Sequence, residues 1–313
     1  MSRRTVLAGV SASLLASVPL GCVPQNSGQQ PPSSVWGRMG FSEGRFQKAR
    51  AITISPEDEL YIVDKMGRLQ VFDVDGNFLR GWGTPKIDQG KPVGLGWSND
   101  NLLMVADTHY FRVLFYTPQG ELVESRTIGG EFGDEPGQFH FVTDVVQDKR
   151  GYYIVGQYGQ VDRIQEFDPD GKFVRMFGSQ GREIGQFSRP QGLELDSEGL
   201  LWIADACNHR IQVYDMTPTE PKLVMMWGDP GDQVGQLQTP YGLVFDRDGT
   251  LLVCEYANHR IQRFTREGKS LEIWGGYGKE PGQLLHPWGL ALDSKRRMHV
   301  LDSENYRVQR FDI

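Results

Sequence analysis

The chain is poor in cysteine, in long apolar runs and in basic charge, and each shortage closes off a class of protein. Three cysteines in 313 residues exclude a disulfide-dense scaffold, and no Cys-x-x-Cys-His run offers covalent haem attachment. No apolar stretch reaches the roughly 20 residues that a membrane-spanning helix needs; the N-terminal one ends at Leu20. Helical periodicity of useful length is missing beyond residue 23. The formal charge is −7, from 33 basic and 40 acidic residues. Without a basic stripe, that balance sets nucleic acid aside as a partner.

What the chain has instead is one pattern written six times. Each copy ends in a hydrophobic residue followed by Gly: Trp36-Gly37, Trp82-Gly83, Ile128-Gly129, Phe177-Gly178, Trp227-Gly228 and Trp274-Gly275. The copies lie about 46–50 residues apart, the period of propellers and solenoids, whose units must stack to bury their apolar faces. In the fourth copy, short alternating runs begin at Pro190, Leu200, Ile211 and Leu223, separated by turn residues such as Ser197-Glu198-Gly199. Four such runs per copy predict one four-stranded blade.

The third run carries the most regular signature. It reads ADACNHRIQVY at 204–214, CEYANHRIQRF at 254–264 and LDSENYRVQRF at 301–311, with looser versions at 63–72, 106–116 and 156–167. This signature resembles the NHL repeat, whose hallmark is an Asp after the second strand, then Asn-x-Arg, then Ile/Val-Gln-x-Phe. The resemblance covers residues 34–313 and implies an all-β fold, a six-bladed β-propeller of four-stranded antiparallel blades. The last copy stops at Ile313 after its third strand, whereas Ser34–Gly37 reads as a fourth strand with no partners before it. We therefore expect the N-terminal strand to close the last blade, with Val35 and Trp36 in its core, removing two exposed edges.

Residues 1–21 resemble a twin-arginine export signal, with Arg3-Arg4 ahead of the apolar run. Cys22 after Leu20-Gly21 resembles a lipoprotein cleavage site, although Pro19 stands where such sites usually have Leu. Residues 22–33 are polar and rich in Pro, Ser and Gln, as a flexible tether to a lipidated Cys22 should be. The expected location is the periplasm, free or membrane-anchored. Export permits a bridge between Cys207 and Cys254, but two free thiols fit the sequence equally well.

Repetition also sorts the chemistry. Residues found in most copies are expected to be scaffold: Arg68, Arg112, Arg163, Arg210, Arg260 and Arg307, and Asp64, Asp107, Asp205, Glu255 and Asp302. His209 and His259 share one slot and fall under the same reading. The loops between the second and third strands, and between blades, are the longer ones and share one face, where a ligand is expected. Its mouth is ringed by the first residue of each innermost strand: Arg50, Val93, Thr143, Gln191, Tyr241 and Trp288. Propeller amidating lyases resembling this chain carry zinc histidines in that slot, and none is present here. Calcium-dependent lactonase propellers need Glu, Asn and Asp there, and the slot offers only the neighbouring Asp144.

The candidate ligand site is therefore Arg50, Thr143, Tyr158, Gln191, Tyr241 and Trp288, with Tyr110 and Tyr306 on nearby loops. Flat aromatics with Arg are enriched at binding hot spots, although Tyr241 and Trp288 could equally plug the channel. The expectation is a monomeric, exported binding or scaffold protein for a protein, peptide or cell-envelope ligand, with no cofactor and no metal. The competing class is a propeller lyase or hydrolase with a metal site of another design.

Overall fold

The computed structural model describes residues 31–88 and 91–313. Its strands form six four-stranded antiparallel sheets arranged as blades around one axis. Blade 1 contains β2 (Ala49–Ile54), β3 (Glu59–Asp64), β4 (Arg68–Asp73) and β5 (Phe78–Gly83). Blade 2 contains β6 (Gly94–Trp97), β7 (Leu103–Asp107), β8 (Arg112–Tyr116) and β9 (Ile128–Gly129). Blade 3 contains β10 (Phe141–Gln147), β11 (Tyr153–Tyr158), β12 (Arg163–Phe167) and β13 (Phe173–Phe177). Blade 4 contains β14 (Pro190–Leu195), β15 (Leu201–Asp205), β16 (Arg210–Asp215) and β17 (Lys222–Trp227). Blade 5 contains β18 (Pro240–Phe245), β19 (Leu251–Glu255), β20 (Arg260–Phe264) and β21 (Ser270–Gly275). Blade 6 contains β22 (Gly289–Leu292), β23 (Arg297–Asp302) and β24 (Arg307–Asp312), completed by β1 (Ser34–Trp36). Helix among the described residues is confined to single 3₁₀ turns, so none is long enough to cross a membrane.

The recurring hydrophobic–Gly pair has a packing cause. The Trp36, Trp82 and Trp227 rings lie against glycines in the following blade's outer turn, Gly76, Gly120 and Gly268, where a Cβ would stand about 2.5–2.6 Å from the indole. In every pair except Trp82-Gly83 the Gly lies in the left-handed region, as at Gly178 with φ 89°. A Cβ there would overlap the buried Phe187 ring at 2.3 Å, so a larger residue fails on both counts. Each pair thus joins one blade to the next.

The recurring third-strand signature is a clamp on the inter-blade loop. Arg210 donates to Asp205 Oδ2 at 2.7 Å and to the carbonyls of Arg182, Glu183 and Gln186 at 2.8, 3.0 and 2.8 Å. Gln212 adds bonds to the Gln186 carbonyl and to Asp205, while Asn208 ties Asp205 to the Gly181 carbonyl. Blades 5 and 6 repeat the set around Arg260 with Glu255 and Arg307 with Asp302. The acids do more than shape the expected turn, because Asp205 and Asp302 also accept from Ser188 N and Leu285 N of the preceding loop. Blade 2 departs: Leu114 replaces the glutamine, and the Arg112 guanidinium bonds Asp107 and lies over the Tyr110 ring, with no loop carbonyl bound to it among the described residues.

Closure follows the expected route. β1 pairs with β24 through Ser34↔Arg310, Val35↔Gln309 and Trp36↔Val308. One expectation needs correcting: Val35 is 39% exposed, because the two-residue alternation of a strand turns it outward. Trp36 alone faces the core, against Phe46 and Phe72 at ring centroid distances of 5.9 and 4.7 Å.

Candidate functional site

Strand pairing shows why the slot residues differ from their neighbours. The ladder between the first and second strands skips between Ala49 and Ala51, Val142 and Asp144, Pro190 and Gly192, and Pro240 and Leu243. Arg50, Thr143, Gln191 and Tyr241, the last together with Gly242, are the residues left out of register. Such bulges leave a residue unpaired and re-aim its side chain, and they are common beside binding sites. Val93 and Trp288 stand just ahead of their strands, held by N–H bonds to the carbonyls of Ala106 and Leu301.

The six side chains do not converge equally. Thr143 is fully buried and its hydroxyl donates to the Pro190 carbonyl at 2.6 Å, so it joins blades 3 and 4 and does not reach the mouth. Gln191 is also buried, and accepts from Arg189 Nε at 3.0 Å. Arg50, Tyr241 and Trp288 do come together. The Arg50 guanidinium lies 5.2 Å from the Trp288 ring, and Trp288 lies 5.1 Å from Tyr241. Arg189 extends this line, 5.4 Å from Tyr241 and 4.8 Å from Tyr158. Tyr256, stacked on His286 at 4.5 Å, packs on both Tyr241 and Trp288. Tyr110 sits over Arg112, and Tyr306 holds the left-handed position ahead of β24.

Sequence reasoning missed Arg189, Tyr256 and His286. The signal was available two residues ahead of the slot, where the blades carry Lys48, Lys91, Arg189 and His286 alongside Phe141 and Thr239. His209 and His259, by contrast, are spent on the scaffold. Each occupies a left-handed position and its Nδ1 accepts a backbone N–H, from Thr239 at 3.1 Å and His286 at 3.0 Å.

Burial pushes the Arg50 guanidinium below its ordinary pKa and nearby Arg189 adds to this, against the opposing phenols of Tyr158, Tyr241 and Tyr256. Burial pushes the Tyr241 phenol up to about 12, so it stays protonated. His109, close to Arg50 and Lys91, is pushed down by burial and by those two charges.

Below the mouth runs a cavity of about 390 Å³, lined by the innermost strands of all six blades. Asp144 and Glu194 face it. Asp144 accepts from Val145 N and Leu193 N, and burial lifts it to about 7. Burial and the neighbouring Asp144 lift Glu194 to about 8. Among the described residues, no group of three or more His, Cys, Asp or Glu side chains converges in metal-binding geometry. Cys207, exposed, and Cys254, buried, are both free thiols.

Raised carboxyl pKa values fix the sign of one pH effect. In the unfolded chain both acids ionise near pH 4, whereas in the channel they hold their protons until about pH 7–8. The stability they contribute is full below pH 4 and is lost as pH rises toward 8. Glu194→Gln should therefore match the parent in thermal midpoint at pH 4 and exceed it increasingly toward pH 8. A midpoint difference that stays constant with pH would refute this assignment.

With this geometry in place, the chain can be set beside known proteins. The NHL repeat profile matches residues 187–214 and 237–264. These are the blades in which the Asp/Glu-Asn-Arg-Gln clamp is most regular. NHL repeat-containing protein 3 from Homo sapiens is 30% identical over 163 residues, 49% of this chain and 46% of that protein. The Mus musculus protein of the same name is 29% identical over 161 residues, again 49% of this chain and 46% of that protein. The matched stretch thus spans about half the length of the curated relatives. Among solved structures, a streptogramin B lyase superposes with a TM-score of 0.63 at 15% identity, covering 87% of this chain and 95% of that one. Virginiamycin B lyase from Staphylococcus aureus gives a TM-score of 0.59 at 14% identity, with coverage of 85% and 80%. At such identities the likeness is one of fold alone.

Proposed function

We propose that this propeller is an exported binding protein of the cell envelope, which takes a protein, peptide or envelope ligand at the mouth of its wide face. The observation that carries the reading is the company of Arg50. Its side chain lies against an aromatic wall on a rigid ring, its Nε is buried without a hydrogen-bond partner, and among the described residues no carboxylate pairs with it. What separates it from the scaffold arginines is the loop carbonyls. Arg163 also has a buried, unpartnered Nε and no acid, yet it holds the carbonyls of Asp134, Glu135 and Gln138, as Arg210 holds three of its own loop. The Arg50 guanidinium donates to none among the described residues. An arginine held beside aromatics and left unpaired suits recognition of something absent from the isolated chain.

The lyase or hydrolase reading draws on the fold neighbours, and one fold hosts many activities. Stoichiometric zinc or calcium in the purified protein would move the assignment toward it. Arg50→Ala and Trp288→Ala should each abolish capture of the ligand from envelope extracts while Asp248→Ala, on the opposite face, has no effect. Trp288 also packs beside the cluster around Ile52 and Leu301, so its variant is read together with a melting curve. Capture that survives both substitutions would overturn the wide-face assignment.

The export half of the proposal rests on Arg3, Arg4 and Cys22, which lie outside the described residues. Replacing Arg3 and Arg4 together with Lys should leave precursor in the cytoplasm. Cell fractionation and blotting decide it, and normal processing of that variant would remove the twin-arginine route.

A further inference from the structure

A protein with net charge −7 has gathered positive charge at one point. Arg50 and Arg189 flank the mouth, each lying over aromatic rings that meet at Tyr241 and Trp288. They are close enough for Arg189 to depress the Arg50 pKa. Lys48 and Lys91 occupy the equivalent positions of blades 1 and 2, and Lys48 is already paired with Glu304 at 3.0 Å. No salt bridge ties Arg50 or Arg189 to an acid among the described residues. Among the described residues, the one hydrogen bond from either guanidinium runs from Arg189 Nε to Gln191, which leaves the terminal N–H groups of Arg189 available.

One acid close enough to feel the Arg189 charge, Asp162, is spoken for. Asp162 accepts the backbone N–H groups of Arg189 and Gly159, at 2.7 and 2.9 Å, which fixes where Arg189 starts; its charge is felt by Arg189, but no salt bridge joins the two among the described residues. The left-handed backbone at Arg189 does not itself mark a site, because Lys48, Thr239 and His286 share it. What sets this position apart is a guanidinium aimed across the mouth. Two like charges held together in a partly dry place repel one another, and that arrangement is relieved by an anion between them.

The space beneath specifies the rest of the ligand. The cavity of about 390 Å³ is lined by Ala51, Ile52, Leu193, Leu243 and Leu290, among others, with Asp144 and Glu194 also on its wall. An apolar group can enter it, and the two carboxyls, protonated up to about pH 7–8, offer an inward-carried anion no positive partner. We propose that the mouth binds a carboxylate between Arg50 and Arg189, with an adjoining apolar or aromatic group packed against Trp288 and Tyr241, as at the C-terminus of a peptide ending in an aromatic residue. The proposal rests on the wide-face reading and gives it a chemistry. Arginine suits the task because its planar fork meets a carboxylate bidentately.

N-acetylphenylalanine titrated into the full mature protein, followed by tryptophan fluorescence and calorimetry, tests this directly. The acid should bind saturably, while N-acetylphenylalaninamide, which has the same ring and no charge, should bind at least tenfold more weakly. Acetate alone should fail for want of the ring, and inorganic phosphate should compete poorly. Arg50→Gln and Arg189→Gln should each weaken the acid at least tenfold at unchanged thermal midpoint. Equal binding of acid and amide, or undiminished binding by both variants, would overturn the carboxylate site. If the acid fails to bind while capture of the envelope ligand still depends on Arg50, the anion chemistry is wrong and the wide-face reading survives. If capture is also indifferent to Arg50, both fall.

Discussion

Arg210→Ala should destabilise the protein by about 3–5 kcal/mol, the range for stranding one member of a buried ion pair. Asp205 has no solvent exposure, and Arg210 is its charge partner at 2.7 Å. The same guanidinium holds three carbonyls of the loop that leads from blade 3 into blade 4. Removing it leaves a buried carboxylate with only neutral donors and frees those carbonyls at once. Arg210→Lys restores the charge but not the fork, so it should recover only part of the loss. Denaturant unfolding measures both variants. An Arg210→Ala protein within 1 kcal/mol of the parent would show that the repeated arginines are not the joints between blades.

That experiment bears on how much of the molecule could be read from its sequence. Repetition carried the architecture, because a residue such as Arg210 that recurs in every copy answers a need that every copy has. The blade count, the strand order and the route of closure all followed from that logic. The site resisted it, since a ligand needs only one copy of each contact and leaves no periodic trace. Thr143 and Arg50 occupy the same slot in the sequence, yet a bulge turns one into the blade interface and leaves the other at the mouth. No residue type announces that difference. Arg189 was missed because its side chain crosses from its own blade toward Tyr158 of the blade before it, and that reach is set by tertiary geometry. Asp144 was legible only as the lone acid beside the slot. Its role as one wall of a paired-acid channel with Glu194 required knowing that blades 3 and 4 set the two side by side.

The closing strand allows the other large effect to be placed on a single residue. Trp36→Ala should cost about 3–5 kcal/mol, as burial of a large aromatic does on truncation. The ring is wedged between blade 6, to which its strand belongs, and blade 1, where it meets Phe46, Phe72 and Gly76. Trp36 belongs to the same packed junction as Ile52, Leu60, Leu301 and Val308, flanked by the Lys48–Glu304 and Arg310–Asp75 pairs, and it is the large ring that the closing strand brings to that junction. Val35→Ala removes as much of the same strand's backbone propensity but takes away an exposed side chain, so it should stay within about 0.5 kcal/mol. Deleting residues 23–32 should leave the midpoint where it was. Extending the deletion through Gly37 should lower it at least as far as Trp36→Ala does, because the free edge of β24 is exposed as well. Equal midpoints for the two deletions would mean that the ring holds without its velcro strand, and the pairing of Ser34–Trp36 with Val308–Arg310 would then be dispensable to the fold.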